Sequence, residues 1–189
     1  MKQLLSLIAL CLINQVFAQS NELSSIQKYR EANTAAIMKE YLSFLTIPNT
    51  ANDTIGLRKN TDFIQEMMQQ RGIQNIQLLQ ANTPNTAPVV YGEVKTPGAT
   101  KTLIFYAHYD GQPVNPKQWA DGLEPFSPVL VTDRLDRGGK IIPFPKDGPA
   151  KPTDRLYGRG SSDDKAGVFA IMAAYEALFA SGAKPTVNI

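Results

Sequence analysis

From Ser24 to Phe44 and on to Leu45, the apolar and aromatic positions Ile26, Tyr29, Ala36, Ile37, Tyr41, Phe44 and Leu45 recur at mostly helical spacing. Ile47-Pro48-Asn49 ends that stretch, because proline disfavours helical geometry in the residue before it. Residues 56–71 repeat the pattern, with Leu57, Phe63, Ile64, Met67 and Met68 on one side and Gly72 just past the end. Strands are expected around 76–79 and 89–94. The run Thr102-Leu103-Ile104-Phe105-Tyr106-Ala107 is almost wholly apolar, which predicts a strand covered on both faces. Further on, Val168, Ile171, Met172, Tyr175, Leu178 and Phe179 form a helical stripe closed by Gly182. The order helix, helix, strand, strand, strand predicts an α/β fold, a mixed sheet flanked by helices. Residues 131–155 are rich in Pro and Gly and are expected to form an ordered, non-helical surface excursion.

The first eighteen residues carry a different pattern. Lys2 is followed by the apolar run from Leu4 to Ile13, and small-residue spacing comes at Val16-Phe17-Ala18. This predicts a signal peptide over residues 1–18, cleaved after Ala18, and hence a periplasmic or secreted protein. The run is too short for a bilayer of roughly 30 Å, which needs about 20 apolar residues, so no membrane association is expected beyond the signal peptide.

Composition narrows the function classes. The 189 residues are 43% hydrophobic and 19% charged, the balance of a globular protein. Nineteen basic residues against seventeen acidic ones give a formal charge of +2, spread without a run, which excludes the electrostatic footprint of a nucleic-acid binder. The one cysteine, Cys11, makes neither an internal disulfide nor a Cys-rich zinc site. Any metal site must therefore draw on carboxylates and the one histidine, His108.

The apolar run at 102–107 leads straight into His108-Tyr109-Asp110. Residues two apart on a strand share a face, so His108 and Asp110 are expected to meet at its carboxyl end, where open α/β sheets place their ligands. A metal-bound imidazole has its other nitrogen held by a carboxylate or carbonyl, and Asp110 is one way to supply it. A surface His and Asp in a turn is the alternative. The second constellation, Tyr157-Gly158-Arg159-Gly160-Ser161-Ser162-Asp163-Asp164-Lys165, sets two aspartates at a glycine-rich loop before the last helix. Carboxylates there gain about 0.3–1 kcal/mol from the helix dipole, and an N-cap at Asp163 or Ser162 is the simplest structural role. A phosphate-binding loop fails on charge, since the aspartates would face the phosphates and no Gly-Lys-Ser/Thr opposes them.

Taken together, Ala107-His108-Tyr109-Asp110-Gly111-Gln112-Pro113-Val114, then Trp119 with Glu124-Pro125-Phe126-Ser127-Pro128, then Leu156 to Lys165, resemble the M20 family of zinc-dependent metallopeptidases. The resemblance is strongest to the branch of carnosinase-type dipeptidases and covers residues 24–189. It implies a catalytic α/β domain with two Zn2+ ions bridged by a carboxylate and a water or hydroxide, at ligands that also tolerate Mn2+ or Co2+. Carried over by residue, His108 is a metal ligand, Asp110 a catalytic residue that holds its imidazole, and Asp163 the bridging ligand, followed by a cis peptide bond. Asp164 and Lys165 are then structural, and Trp119 and Phe126 are packing residues.

The resemblance further implies hydrolysis of peptide bonds, of dipeptidase or carboxypeptidase type, on small peptide substrates, and leaves room for a homodimer of the intact parent. The chain stops at Pro185-Thr186-Val187-Asn188-Ile189, before the family's Glu-Glu pair, later Asp ligand and second His ligand. Residues 19–189 are therefore expected to be the N-terminal part of a catalytic domain, incomplete at the C-terminus, inactive alone and prone to association through an open sheet edge. Two other functions fit the same residues: a deacylase acting on N-acyl amino acids, or a non-catalytic domain that binds a peptide or partner.

Overall fold

A computed structural model describes the backbone of residues 2–83 and 86–189, and the side chains of 22–83 and 86–189. The signal-peptide reading of residues 1–18 turns on side chains outside those described. Helix α1 runs from Lys2 to Leu45, so the helix expected from Ser24 is the second half of a longer one. Among the described residues, no helix is long and apolar enough to cross a membrane.

Helix α2, Thr54–Gln70, starts where the Asp53 carboxylate accepts the Gly56 N–H at 2.8 Å, satisfying one of the orphan donors of the first turn. It ends at Gly72, whose φ of 68° is the left-handed geometry that glycine adopts without a Cβ penalty. Between those signals, Leu57, Ile64, Met67 and Met68 fall on one buried face. That face closes on Phe44 and Leu45 of α1 and on Val168, Phe169 and Met172 of helix α3, Lys165–Ala180. The core is thus a three-helix junction, tightened by Tyr41 stacked on Phe169 at 4.9 Å and Phe44 on Phe63 at 5.2 Å.

The sheet component comes in two small antiparallel pieces. Strand β1, Gln74–Leu79, pairs with β2, Val89–Glu93, and the register slips between Gln74 and Gln77. Strand β3, Val129–Val131, lies between β4, Ile141–Ile142, and β5, Arg155–Tyr157. The excursion expected at 131–155 is therefore a short three-stranded sheet with a 3-10 turn at Leu135–Arg137, and no α-helix. Parallel bridges join Thr50 to Gly111 and Thr102 to Asn188, which gives the mixed α/β character expected.

Residues 102–107 correct the expectation of a doubly covered strand. The Leu103 N–H donates to Asn188 and the Asn188 N–H to Lys101, but among the described residues the ladder goes no further. Ile104 is 89% and Tyr106 84% exposed, with Leu103 and Phe105 about half exposed. An apolar run becomes a buried strand only where neighbours flank it on both edges and both faces. The C-terminal residues reach Val94 on one side and Thr102 on the other, and extend the pairing no farther.

Candidate metal centre

His108 and Asp163 are 55 residues apart and meet across two loops. His108 Nε2 lies 3.0 Å from Asp163 Oδ1, while its Nδ1 lies 3.1 Å from the Asp110 carbonyl and 3.2 Å from Asp110 Oδ1. The imidazole is thus held from behind by Asp110 and aimed at Asp163. An Nδ1–H donated to Asp110 leaves a lone pair on Nε2 facing a carboxylate oxygen, two acceptors at hydrogen-bond distance. Such a pair needs a shared proton or a cation between its members. Burial pulls the imidazole pKa down, but the Asp110 carbonyl and the carboxylates of Asp163 and Asp110 outweigh it, and it stands above its ordinary value of 6.5. The ring is 39% and Asp163 86% exposed, so the pair opens to solvent.

The two aspartates of the doublet divide the work. Asp164 is the N-cap of α3: Oδ1 accepts the Gly167 N–H at 3.0 Å and Oδ2 the His108 N–H at 3.4 Å. This leaves Asp163 free of the cap, and the simple cap expected at Asp163 or Ser162 is instead Asp164. The Asp163–Asp164 peptide is cis, as the resemblance implied. Gly160 (φ 78°) turns the loop, and the Ser161 carbonyl accepts the hydroxyl of Tyr41 at 3.1 Å. Burial, then the charge of Asp164, pushes that phenol up to about 12.

Three groups at the site were not assigned to it by sequence reasoning. Asn49, fully buried, donates through Nδ2 to the Tyr109 carbonyl, and its own carbonyl accepts the Gly111 N–H, both at 2.7 Å. Lys165, also fully buried, donates through Nζ to the Phe44 and Ile47 carbonyls at 2.7 Å each and lies 4.6 Å from the Phe44 ring centroid. Burial pulls its ammonium down to about 7. Tyr41 is the third. The one signal available was Asn49 beside the helix-ending Pro48, and the sequence does not show what it bonds. Trp119 and Phe126 are half-buried. Among the described residues no three His, Cys, Asp or Glu side chains gather as a metal-binding group, so the donors that face each other are His108 and Asp163.

Residues 104–189, which hold this geometry from His108 through α3, match the family described as Peptidase family M20/M25/M40. A curated succinyl-diaminopimelate desuccinylase of Acidovorax ebreus (strain TPSY) is 35% identical over 92 residues, covering 48% of this chain and 18% of that protein. The solved structure of the di-peptidase Dug1p from Saccharomyces cerevisiae shares the fold with a TM-score of 0.68 at 24% identity, over 89% of this chain and 33% of that one. The M20 family metallo-carboxypeptidase Sso-CP2 from Sulfolobus solfataricus aligns with a TM-score of 0.58 at 26% identity, over 80% of this chain and 29% of that one. The chain therefore spans a third or less of the length of each of these proteins.

Proposed function

We propose, for a chain whose residues 104–189 carry an M20-family peptidase segment, that His108 and Asp163 are metal ligands of a hydrolase acting on amide bonds, with Asp110 orienting the imidazole. The observation that carries this is the 3.0 Å approach of His108 Nε2 to Asp163 Oδ1. A neutral imidazole and a carboxylate oxygen suit Zn2+, and also Mn2+ or Co2+. Such a cation, when bound, supplies Lewis-acid polarisation of a scissile carbonyl. Asp110 keeps the proton on Nδ1 and so leaves the Nε2 lone pair free to ligate a metal. The carboxylate of Asp163 has two oxygens, which suits it to bridge two ions.

Peptides are the substrate class we infer, of dipeptidase or carboxypeptidase type. The desuccinylase likeness supports a second reading, hydrolysis of N-acyl amino acids, since that reaction also cleaves an amide C–N bond. Zinc sites use three or four protein ligands, and among the described residues two donors face each other, so we infer that this chain by itself is an incomplete catalyst. Export by way of residues 1–18 belongs to the same proposal and rests on the N-terminal sequence pattern. N-terminal sequencing of the exported protein is expected to begin at Gln19; retention of Met1 in an exported form would overturn it.

The test uses the fact that His108 is the sole imidazole. Zn2+ added to the purified chain is expected to shift the single histidine Cε1–Hε1 NMR resonance in a saturable way, and Asp163→Ala is expected to abolish that shift. Dipeptide turnover by the same zinc-loaded sample is expected to stay at background. A histidine resonance indifferent to Zn2+ would sink the metal assignment, and enzyme-like turnover would sink the incompleteness.

A further inference from the structure

Each of the two loops that form the site is fastened to a third segment. The linker between α1 and α2, residues 46–53, grips the His108 loop at Tyr109 and Gly111, on either side of Asp110. Asn49 Nδ2 donates to the Tyr109 carbonyl, the Gly111 N–H donates to the Asn49 carbonyl, and the Ala51 N–H donates to the Gly111 carbonyl at 2.9 Å. The fit is close, because a Cβ on Gly111 would come within 3.2 Å of the Asn49 amide. The other loop reaches the same linker through one side chain. Lys165, two residues beyond Asp163, extends its stem beneath Gly160, where an added Cβ would lie 3.1 Å from the lysine carbons. Its ammonium then reaches the Phe44 and Ile47 carbonyls. Direct hydrogen bonds between the two loops, among the described residues, are the His108–Asp163 contact itself and the long 3.4 Å bond from the His108 N–H to Asp164.

We propose that the linker sets the spacing between His108 and Asp163, and that Lys165 and Asn49 are its positioning residues, Lys165 fastening the Asp163 loop and Asn49 the His108 loop. The inference deepens the metal-site reading above and rests on it for its functional meaning. A packing role alone does not explain the ammonium. Methionine would fill much the same volume without the cost of taking a charge out of water, and among the described residues no carboxylate bonds Lys165. What the ammonium adds is direction. Two donors on one nitrogen fix it against the Phe44 carbonyl in the last turn of α1 and the Ile47 carbonyl in the linker. The continuous path from Asp163 through Lys165, Ile47 and Asn49 to Tyr109 and Gly111 is the route by which the two donors hold their registry. Among the described residues, neither side chain hydrogen-bonds His108 or Asp163 directly.

The experiment compares wild type, Lys165→Met, Asn49→Ala, the double variant and Lys165→Arg, with Ile64→Val as a control for lost core stability. Zn2+ affinity is read by chelator competition, the lone histidine resonance without metal by NMR, and folding by the melting transition. Each single positioning variant is expected to move the metal-free His108 resonance and to weaken Zn2+ binding by roughly 10–100-fold, the loss found when groups that orient metal ligands are removed. The double variant is expected to lose no more than the worse single one, since both cut one strut. Lys165→Arg, which keeps two donors, is expected to regain part of the affinity, and Ile64→Val to leave affinity unchanged while lowering the melting temperature. Additive losses, or binding within twofold of wild type in either single variant, would overturn the proposal. Should Lys165→Met fail to fold, Asn49→Ala carries the test. If the wild type itself ignores Zn2+, the metal reading fails, and the metal-free histidine resonance still decides whether the linker sets the pair.

Discussion

Phe44→Ala is expected to destabilise the chain by about 3–5 kcal/mol, the range for truncating a buried aromatic side chain. Phe44 is fully buried at the end of α1 and lies where the three helices converge. Its ring stacks on Phe63 of α2 with an interplanar angle of 7°, and the Lys165 ammonium at the start of α3 lies 4.6 Å from its centroid. Alanine there removes the stacking, the cation–π contact and the volume at once, and the surrounding side chains belong to three elements that cannot close the hole together. Against a total stability of roughly 5–15 kcal/mol, that loss is a large share. Urea unfolding followed by circular dichroism checks it: the midpoint should fall with little change in slope. A loss below about 1 kcal/mol would mean that the end of α1 is not packed as described.

Why the helices were legible and the buried charges were not has a physical explanation. Helices α2 and α3 carry their boundaries in the chain: Asp53 and Asp164 at the caps, and Gly72 and Gly182 just past the ends, both with positive φ. Those are local signals, readable within a few residues. The meeting of His108 with Asp110 was also expected, but for a reason the fold does not share. Strand alternation was to place them on one face, whereas residues 103–110 form no continuing ladder and the pair is held by the Asn49 linker. The expected doubly covered strand failed because burial of an apolar run depends on neighbours brought from elsewhere in the chain. The burial of Lys165, which the sequence marks only as structural, and of Arg71 was not legible for the same reason. Long charged side chains are usually solvated, and what draws these two inside are acceptors 31 to 121 residues away.

Arg71 shows how much one such distant set of partners carries. Its guanidinium is only 5% exposed, with Nη2 2.6 Å from Glu40 of α1 and 2.5 Å from Glu176 of α3, and Nε donating to the Met172 carbonyl at 3.2 Å. Burial disfavours the charge, but the two glutamates outweigh it and hold the group further above its ordinary pKa. Tyr29 completes the cluster by donating to Glu176 at 2.7 Å. Arg71→Met should cost about 3 kcal/mol or more, because it leaves two carboxylates facing each other without a counter-charge. The triple variant Arg71→Met, Glu40→Gln, Glu176→Gln should recover most of the loss, since desolvating the three charges nearly cancels their attraction. Urea midpoints of the wild type, Arg71→Met and the triple variant decide between the two roles. If the triple variant is as unstable as Arg71→Met, the network stabilises through hydrogen-bond geometry, and charge compensation is not what joins the three helices.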